Sequence, residues 1–335
     1  MNKKLLVLVP MPEDQVRYII SAANAADSPQ GNTWSYEYHP AGLSGEQLTD
    51  ALQNVQAVLG EPDVDALIAA VQSGSYPEIV QMTWAGTDKY TCSTIPFPHE
   101  VALCNAVGAF GHIISQYVLG QILSIMQNLP GYRANQPSCQ WKDLGPVASL
   151  DGATVLVFGS GDIGGHIARR LQGFDAQVVG VCRDTSHARP YFDQLCTLDQ
   201  AQDWLPKADV VVGAIPNSPQ TAGWLDRRRI GMMKPGAILV NVGRGNFVDC
   251  LALDQALKAG ILRGAALDVT NPEPLPEDHP LWSEPRCLIT PHISGGSFGR
   301  HLGTELRIRD IAADNLRAHI LGEPLRTPVF TQEQQ

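Results

Sequence analysis

Three stretches carry side chains whose types and spacing could do chemistry. The apolar run Val155-Leu156-Val157-Phe158 leads into Gly159-Ser160-Gly161-Asp162-Ile163-Gly164 and then into a helical pattern at Ile167–Leu171. A strand, a Gly-x-Gly-x-x-Gly turn and a helix suit a pyrophosphate: Gly159 permits the tight turn, Gly161 lets the phosphates reach the backbone, and Gly164 lets helix and strand pack closely. A second buried run ends in Asn241-Val242-Gly243-Arg244-Gly245. An arginine after a strand is usually a solvated surface group, but at the carboxyl end of a parallel strand it is placed to clamp an anion. The third stretch supplies Asp268, then Glu273 in Asn271-Pro272-Glu273-Pro274, then His292 after Thr290-Pro291. A lone histidine would be read as structural. A carboxylate beside an imidazole, however, fixes its tautomer and makes it a usable proton donor near neutral pH, and an arginine nearby grips a carboxylate at two points.

These residues need strand ends to hold them. Short apolar runs alternate with helical periods along most of the chain, the pattern of parallel sheets covered on both faces. One series has strands expected near 5–9, 35–39, 57–59, 79–83 and 102–105, with helices near 14–25 and 45–52, and lacks a glycine-rich phosphate loop. A second has six strands expected at 154–158, 177–182, 210–214, 237–241, 264–268 and 287–290, enough for a dinucleotide fold. Between them the apolar stretch 107–129 is interrupted by Ser115, Gln116 and Gln121, which predicts a packed helix and not a membrane span. The pattern at 302–321 predicts a terminal helix that returns to the first domain.

With 335 residues the chain predicts about two domains, and its formal charge of −10 argues against nucleic acid or an anionic membrane as partner. The opening apolar run is cut at Pro10, too short for a secretory core. Seven scattered cysteines without a Cys-x-x-Cys pair predict free thiols in a reducing cytoplasm, and neither they nor a His-Glu-x-x-His motif predicts a metal site.

The glycine turn at 159–164, Arg244 in Asn-Val-Gly-Arg-Gly, Glu273 in 268–274 and His292 in Thr-Pro-His, in this order over nearly the whole chain, resemble the D-isomer-specific 2-hydroxyacid dehydrogenases. The resemblance implies hydride transfer between a nicotinamide and C2 of a 2-oxoacid or (R)-2-hydroxyacid. In it His292 is the general acid/base, Glu273 its partner, Arg244 the anchor for the substrate carboxylate and keto oxygen, and Asp268 a nicotinamide-side contact. Ser160, Asp162, Ile163, Pro216 and Val242 fall at the cofactor, and the loop Trp84-Ala85-Gly86 binds the substrate carboxylate through backbone N–H groups. The fold class expected is α/β with two doubly wound parallel-sheet domains, a Rossmann dinucleotide-binding domain over 103–299 and a smaller flavodoxin-like substrate domain from 1–102 plus 300–335. The apolar helix over 107–129 predicts a homodimer.

The branch resembled is that of glyoxylate/hydroxypyruvate reductases and broad D-2-hydroxyacid dehydrogenases. A phosphoglycerate dehydrogenase-type activity and a nucleotide-sensing, corepressor-like binding role are the alternatives on this fold. The family's NAD-dependent members carry an acid eighteen positions after the last glycine of the turn; here that position is Cys182, followed by Arg183. A thiol neither grips the ribose hydroxyls nor repels a 2′-phosphate, and a guanidinium can pair with one. NADP(H) is therefore expected to be preferred and NAD(H) to remain possible, with Asp184 as the residue able to neutralise Arg183.

Overall fold

The computed structural model describes residues 2–91 and 93–330. The chain divides into two compact units, Met1–Ala109 with Gly296–Gln335, and Phe110–Gly295. The division therefore falls several residues beyond 102. The strand at 102–104 is hydrogen-bonded into the first sheet, and residues 105–109 leave it before the next helix begins.

The first unit is a sheet of β1 (Asn2–Val7), β2 (Thr33–Tyr38), β3 (Ala57–Leu59), β4 (Ile79–Gln81) and β5 (Ala102–Cys104). They pair in parallel in the order β2-β1-β3-β4-β5, the flavodoxin-like order, and a C-terminal strand, Pro328–Phe330, adds antiparallel to β5. Alternation decides the two faces. Leu6, Val58, Val80 and Leu103 pack on one side with Leu48, Leu52 and Leu67, while Leu5, Ala57 and Ile79 on the other side meet Ile19, Ala312 and Leu316. Ile19 belongs to α1 (Glu13–Asp27), and the last two residues to the C-terminal helix Leu302–Leu321, which packs on α1. The helices α2 (Gly45–Leu52), α3 (Val64–Ser73) and α4 (Asp88–Thr91) complete this unit.

The second unit is a wholly parallel sheet of β6 (Thr154–Phe158), β7 (Gln177–Val181), β8 (Gln194–Cys196), β9 (Val210–Gly213), β10 (Ile238–Asn241), β11 (Gly264–Leu267) and β12 (Cys287–Ile289). Their order is β8-β7-β6-β9-β10-β11-β12. This is the Rossmann order, with the direction of winding reversing between β6 and β9, where ligands of such sheets bind. There are seven strands and not six. The strand absent from the sequence reading, β8, is a three-residue edge strand of which only Cys196 is fully buried, so it shows no apolar run. Helices α5 (Gly111–Met126), α7 (Asp162–Leu171), α8 (Arg227–Ile230) and α9 (Cys250–Lys258) cover the sheet, and α6 (Leu129–Asn135), with no buried residue, packs on α5. Among the described residues no helix is long and apolar enough to cross a membrane. Six cysteines are free thiols, and Cys92 lies outside the described residues.

Candidate active site

The glycine turn joins β6 to α7, and its three glycines differ in what demands them. A Cβ on Gly159, which sits at φ +103°, would lie 2.5 Å from the Ala214 carbonyl oxygen, and one on Gly164 would overlap the Gly159 carbonyl. Those two are required by the protein's own packing. A Cβ on Gly161 would meet nothing within 4 Å. The chain itself has no need of glycine there, whereas a pyrophosphate lying over the turn does, so the residues present fit a dinucleotide. Asp162 opens α7, but its carboxylate turns aside: Oδ2 accepts from Gly111 N–H at 3.0 Å and Oδ1 lies 3.5 Å from His166 Nε2. Ser160 and Ile163 are half-buried in the turn.

At the end of β7, Cys182 directs its thiol to the Asp184 carbonyl at 3.2 Å. The Asp184 carboxylate accepts from Ser186 Oγ at 2.5 Å and Ser186 N–H at 2.8 Å, and faces His187. These Ser186 hydrogen bonds, the hydroxyl's first, hold its carboxyl below the usual range. Arg183 is exposed and has no hydrogen-bond or ion-pair partner among the described residues.

The remaining side chains gather at the carboxyl edge of β10, β11 and β12. Buried Asn241 pins the turn after β10, donating from Nδ2 to the Arg244 carbonyl at 2.9 Å and accepting from Gly243 N–H at 3.2 Å. Any side chain on Gly245 would overlap the Thr270 backbone, so glycine is what lets the Arg244 turn lie against the loop leaving β11. Arg244 is half-buried and donates to the Gly243 carbonyl at 2.9 Å. His292 Nδ1 lies 2.7 Å from Glu273 Oε1, and the two side chains are 47% and 43% exposed, so the pair is open to solvent and to a substrate. A carboxylate only accepts, so Nδ1 carries the proton of the neutral ring and Nε2 is left to exchange one. Val242 is buried, with its N–H on the Gly213 carbonyl, and Pro216 follows β9 on an exposed loop.

Asp268 does more than the sequence suggested. It is 1% exposed, and its carboxylate accepts from Thr290 Oγ1, Ile293 N–H and Ser294 N–H at 2.6, 2.9 and 2.9 Å. Its carbonyl takes His292 N–H at 2.9 Å. Its observed work is to hold the loop that carries His292.

In the first unit, Trp84-Ala85-Gly86 follows β4, and Trp84 is 46% exposed, not part of a core. The Trp84 carbonyl accepts from Ala106 N–H at 2.9 Å and the Ala85 carbonyl from Asn105 Nδ2 at 3.1 Å. In a trans peptide N–H points opposite to C=O, so the N–H groups of Ala85 and Gly86 are turned away from these anchors. Neither has a partner among the described residues. Asn105 is itself fastened: its N–H donates to the Thr327 carbonyl, and its carbonyl accepts from Thr327 Oγ1 and Gln81 Nε2. Gln81 and Thr327 in turn take hydrogen bonds from Asn315 of the C-terminal helix. Glu61 completes the frame by accepting from Thr83 N–H and Oγ1 at 2.6 and 3.0 Å. Sequence reasoning missed Asn105, Glu61, Asn315 and Tyr117; all are ordinary polar residues outside any motif.

Comparison with known proteins places the chain in a family. The profile of the D-isomer specific 2-hydroxyacid dehydrogenase NAD binding domain matches residues 119–294. The chain belongs to the D-isomer-specific 2-hydroxyacid dehydrogenase family. A family member from Aeromonas salmonicida superposes with a TM-score of 0.81 at 32% identity, over 98% of each chain. Glyoxylate/hydroxypyruvate reductase A of Serratia proteamaculans is 31% identical over 219 residues, 64% of this chain and 65% of that one. The NADPH-dependent glyoxylate/hydroxypyruvate reductase of Sinorhizobium meliloti, solved with NADP and malonate, matches at 25% identity and a TM-score of 0.72 over 98% of this chain and 96% of that one. Family membership makes the second unit a nicotinamide dinucleotide-binding domain.

Proposed function

We propose that this protein reduces a small 2-oxoacid to the (R)-2-hydroxyacid, and catalyses the reverse, with NADP(H) preferred over NAD(H). The observation that carries the reading is the His292–Glu273 pair, 2.7 Å apart and open to solvent at the strand edge. A bound nicotinamide supplies or accepts the hydride. Glu273 holds Nδ1, so that His292 Nε2 delivers a proton to the oxygen that becomes the hydroxyl, or removes it in the reverse direction. Arg244 pairs with the substrate carboxylate, and within the first unit the outward N–H groups of Ala85 and Gly86 are suited to bind an anion. Gly159, Gly161 and Gly164 with the first turn of α7 cradle the pyrophosphate, flanked by Val242 and Pro216.

The cofactor preference rests on Arg183 and Asp184 together. Asp184 is occupied by Ser186 and His187, which leaves Arg183 to meet a 2′-phosphate. We also assign a homodimer and a reducing, cytoplasmic setting. The apolar side of α5 is only partly covered, Leu129, Trp141 and Val147 of the same unit are exposed, and the described thiols are free.

The test is a panel of glyoxylate, hydroxypyruvate and phenylpyruvate with each reduced cofactor. Turnover is expected with higher kcat/KM for NADPH, and Arg183→Ala should cut that ratio by about tenfold, the scale of one charge-assisted hydrogen bond. A complete lack of turnover with every 2-oxoacid would favour a binding role instead. An unchanged ratio in Arg183→Ala would remove Arg183 from the 2′-phosphate.

A further inference from the structure

We propose that Tyr117, on α5, is a positioning residue for His292 and acts through Thr290 and Asp268. The inference rests on the reading of His292 as the acid/base group. Tyr117 Oη lies 2.7 Å from Thr290 Oγ1, and Thr290 Oγ1 lies 2.6 Å from Asp268 Oδ1. Proton counting gives the direction. The ionised carboxylate only accepts, so the single hydroxyl proton of Thr290 goes to Asp268, and the Thr290 oxygen then offers only lone pairs to Tyr117, whose O–H donates. Burial pushes the Tyr117 phenol up to about 12, so it remains a donor through the neutral range.

The far end of this chain is the loop that presents His292. Asp268 collects the N–H groups of three successive residues, 292 on its carbonyl and 293 and 294 on its two carboxylate oxygens. His292 itself sits at φ 51°, in the left-handed region, which a residue with a side chain keeps only when its surroundings over-determine it. Its imidazole is half-exposed and has little packing to orient it. The direction of Nε2 must therefore come from Glu273 on one side and from the backbone clamped by Asp268 on the other. Without the Tyr117 hydroxyl, the half-buried Thr290 oxygen loses its donor, Thr290 is released to turn, and Asp268 holds the loop with one donor fewer. Hydrogen bonds in such a chain polarise one another, so the loss reaches the loop although Tyr117 touches none of residues 292–294 by a hydrogen bond.

The experiment uses the full chain with glyoxylate and NADPH. Tyr117→Phe and Thr290→Val should each lower kcat by about three- to tenfold, the scale of one hydrogen bond in a positioning chain. KM and the NADPH Kd, read by fluorescence titration, should stay within about twofold. The double variant should lose no more than Thr290→Val alone, and Thr290→Ser, which keeps the hydroxyl, should rescue the rate. A Tyr117→Phe enzyme with wild-type kcat, a KM that rises in step with the fall in kcat, or additive losses in the double variant would each overturn the proposal. If Tyr117→Phe does not fold, the Val and Ser variants at 290 decide: equal rates in the two overturn it. His292→Ala run alongside separates the two ideas. An active His292→Ala enzyme defeats the reading of His292 itself, whereas an inactive one beside a wild-type-like Tyr117→Phe defeats only the relay.

Discussion

The loop after β12 and the loop after β4 are both held by a buried polar residue that directly follows a strand, yet the two holders differ in kind. Asp268 follows β11 and accepts N–H groups from residues 292–294. Asn105 follows β5 and donates to the Ala85 carbonyl, while its own Oδ1 accepts from Val107 N–H. The difference reflects which face of the peptide each loop must expose. In the proposed function the histidine loop works through a side chain, so its N–H groups can turn inward onto a carboxylate. The Trp84 loop offers N–H groups outward, so its carbonyls turn inward and need a donor, which an amide supplies and a carboxylate cannot. The buried residue at each of these two strand ends thus matches the half of the peptide group that its loop turns inward.

The largest effect expected falls on the side-chain half of this comparison. His292→Ala should lower kcat by about 10²–10⁴-fold while NADPH binding, read by fluorescence titration, is retained. A variant that keeps more than about a tenth of the rate would remove His292 from the acid/base role.

Exchanging the holders gives the next effect. Asn105→Asp keeps the acceptor for Val107 but removes the donor to Ala85 and adds a negative charge. It should raise KM for the 2-oxoacid by about tenfold or more, with kcat at saturation less affected. Asp268→Asn turns one acceptor into a donor facing an N–H or hydroxyl, and should lower kcat by about tenfold with a smaller change in KM. Steady-state kinetics on both variants would show whether the KM and kcat effects segregate in this way. The reverse pattern would break the comparison.

The smallest effect concerns stability. Part-buried Glu61 supports the Trp84 loop through Thr83, and burial raises its carboxyl pKa above the ordinary value, although the Thr83 hydrogen bonds pull the other way. A raised carboxyl pKa favours the neutral form in the folded state. Its contribution is complete below the unfolded-state pKa and is lost as pH rises through the folded one. Glu61→Gln stays neutral and can still accept from Thr83. Its melting temperature should therefore match the wild type at about pH 4 and exceed it by a few degrees near pH 8. A wild type that melts higher than Glu61→Gln at pH 8 would show that the charge itself supports the loop.

What the sequence determined by itself was local. Short continuous apolar runs marked β6, β10 and β11, and a period of 3.6 marked the C-terminal helix, because a strand covered on both faces is apolar throughout and a helix repeats over neighbouring residues. The turn at 159–164 was legible because its three glycines fall at fixed spacing between one strand and one helix, although the clash that demands Gly159 comes from Ala214, after β9. Glu273 and His292 stood out because few residue types do acid/base chemistry. The three-residue strand β8 was not legible, since an edge strand needs no apolar run. The supports of the two loops were decided only by the tertiary structure: Tyr117 meets Thr290 across 173 residues, and Asn315 meets Gln81 across 234. Tyrosine, threonine and asparagine are common and carry no period or motif. Their roles arise from the partners that folding brings to them.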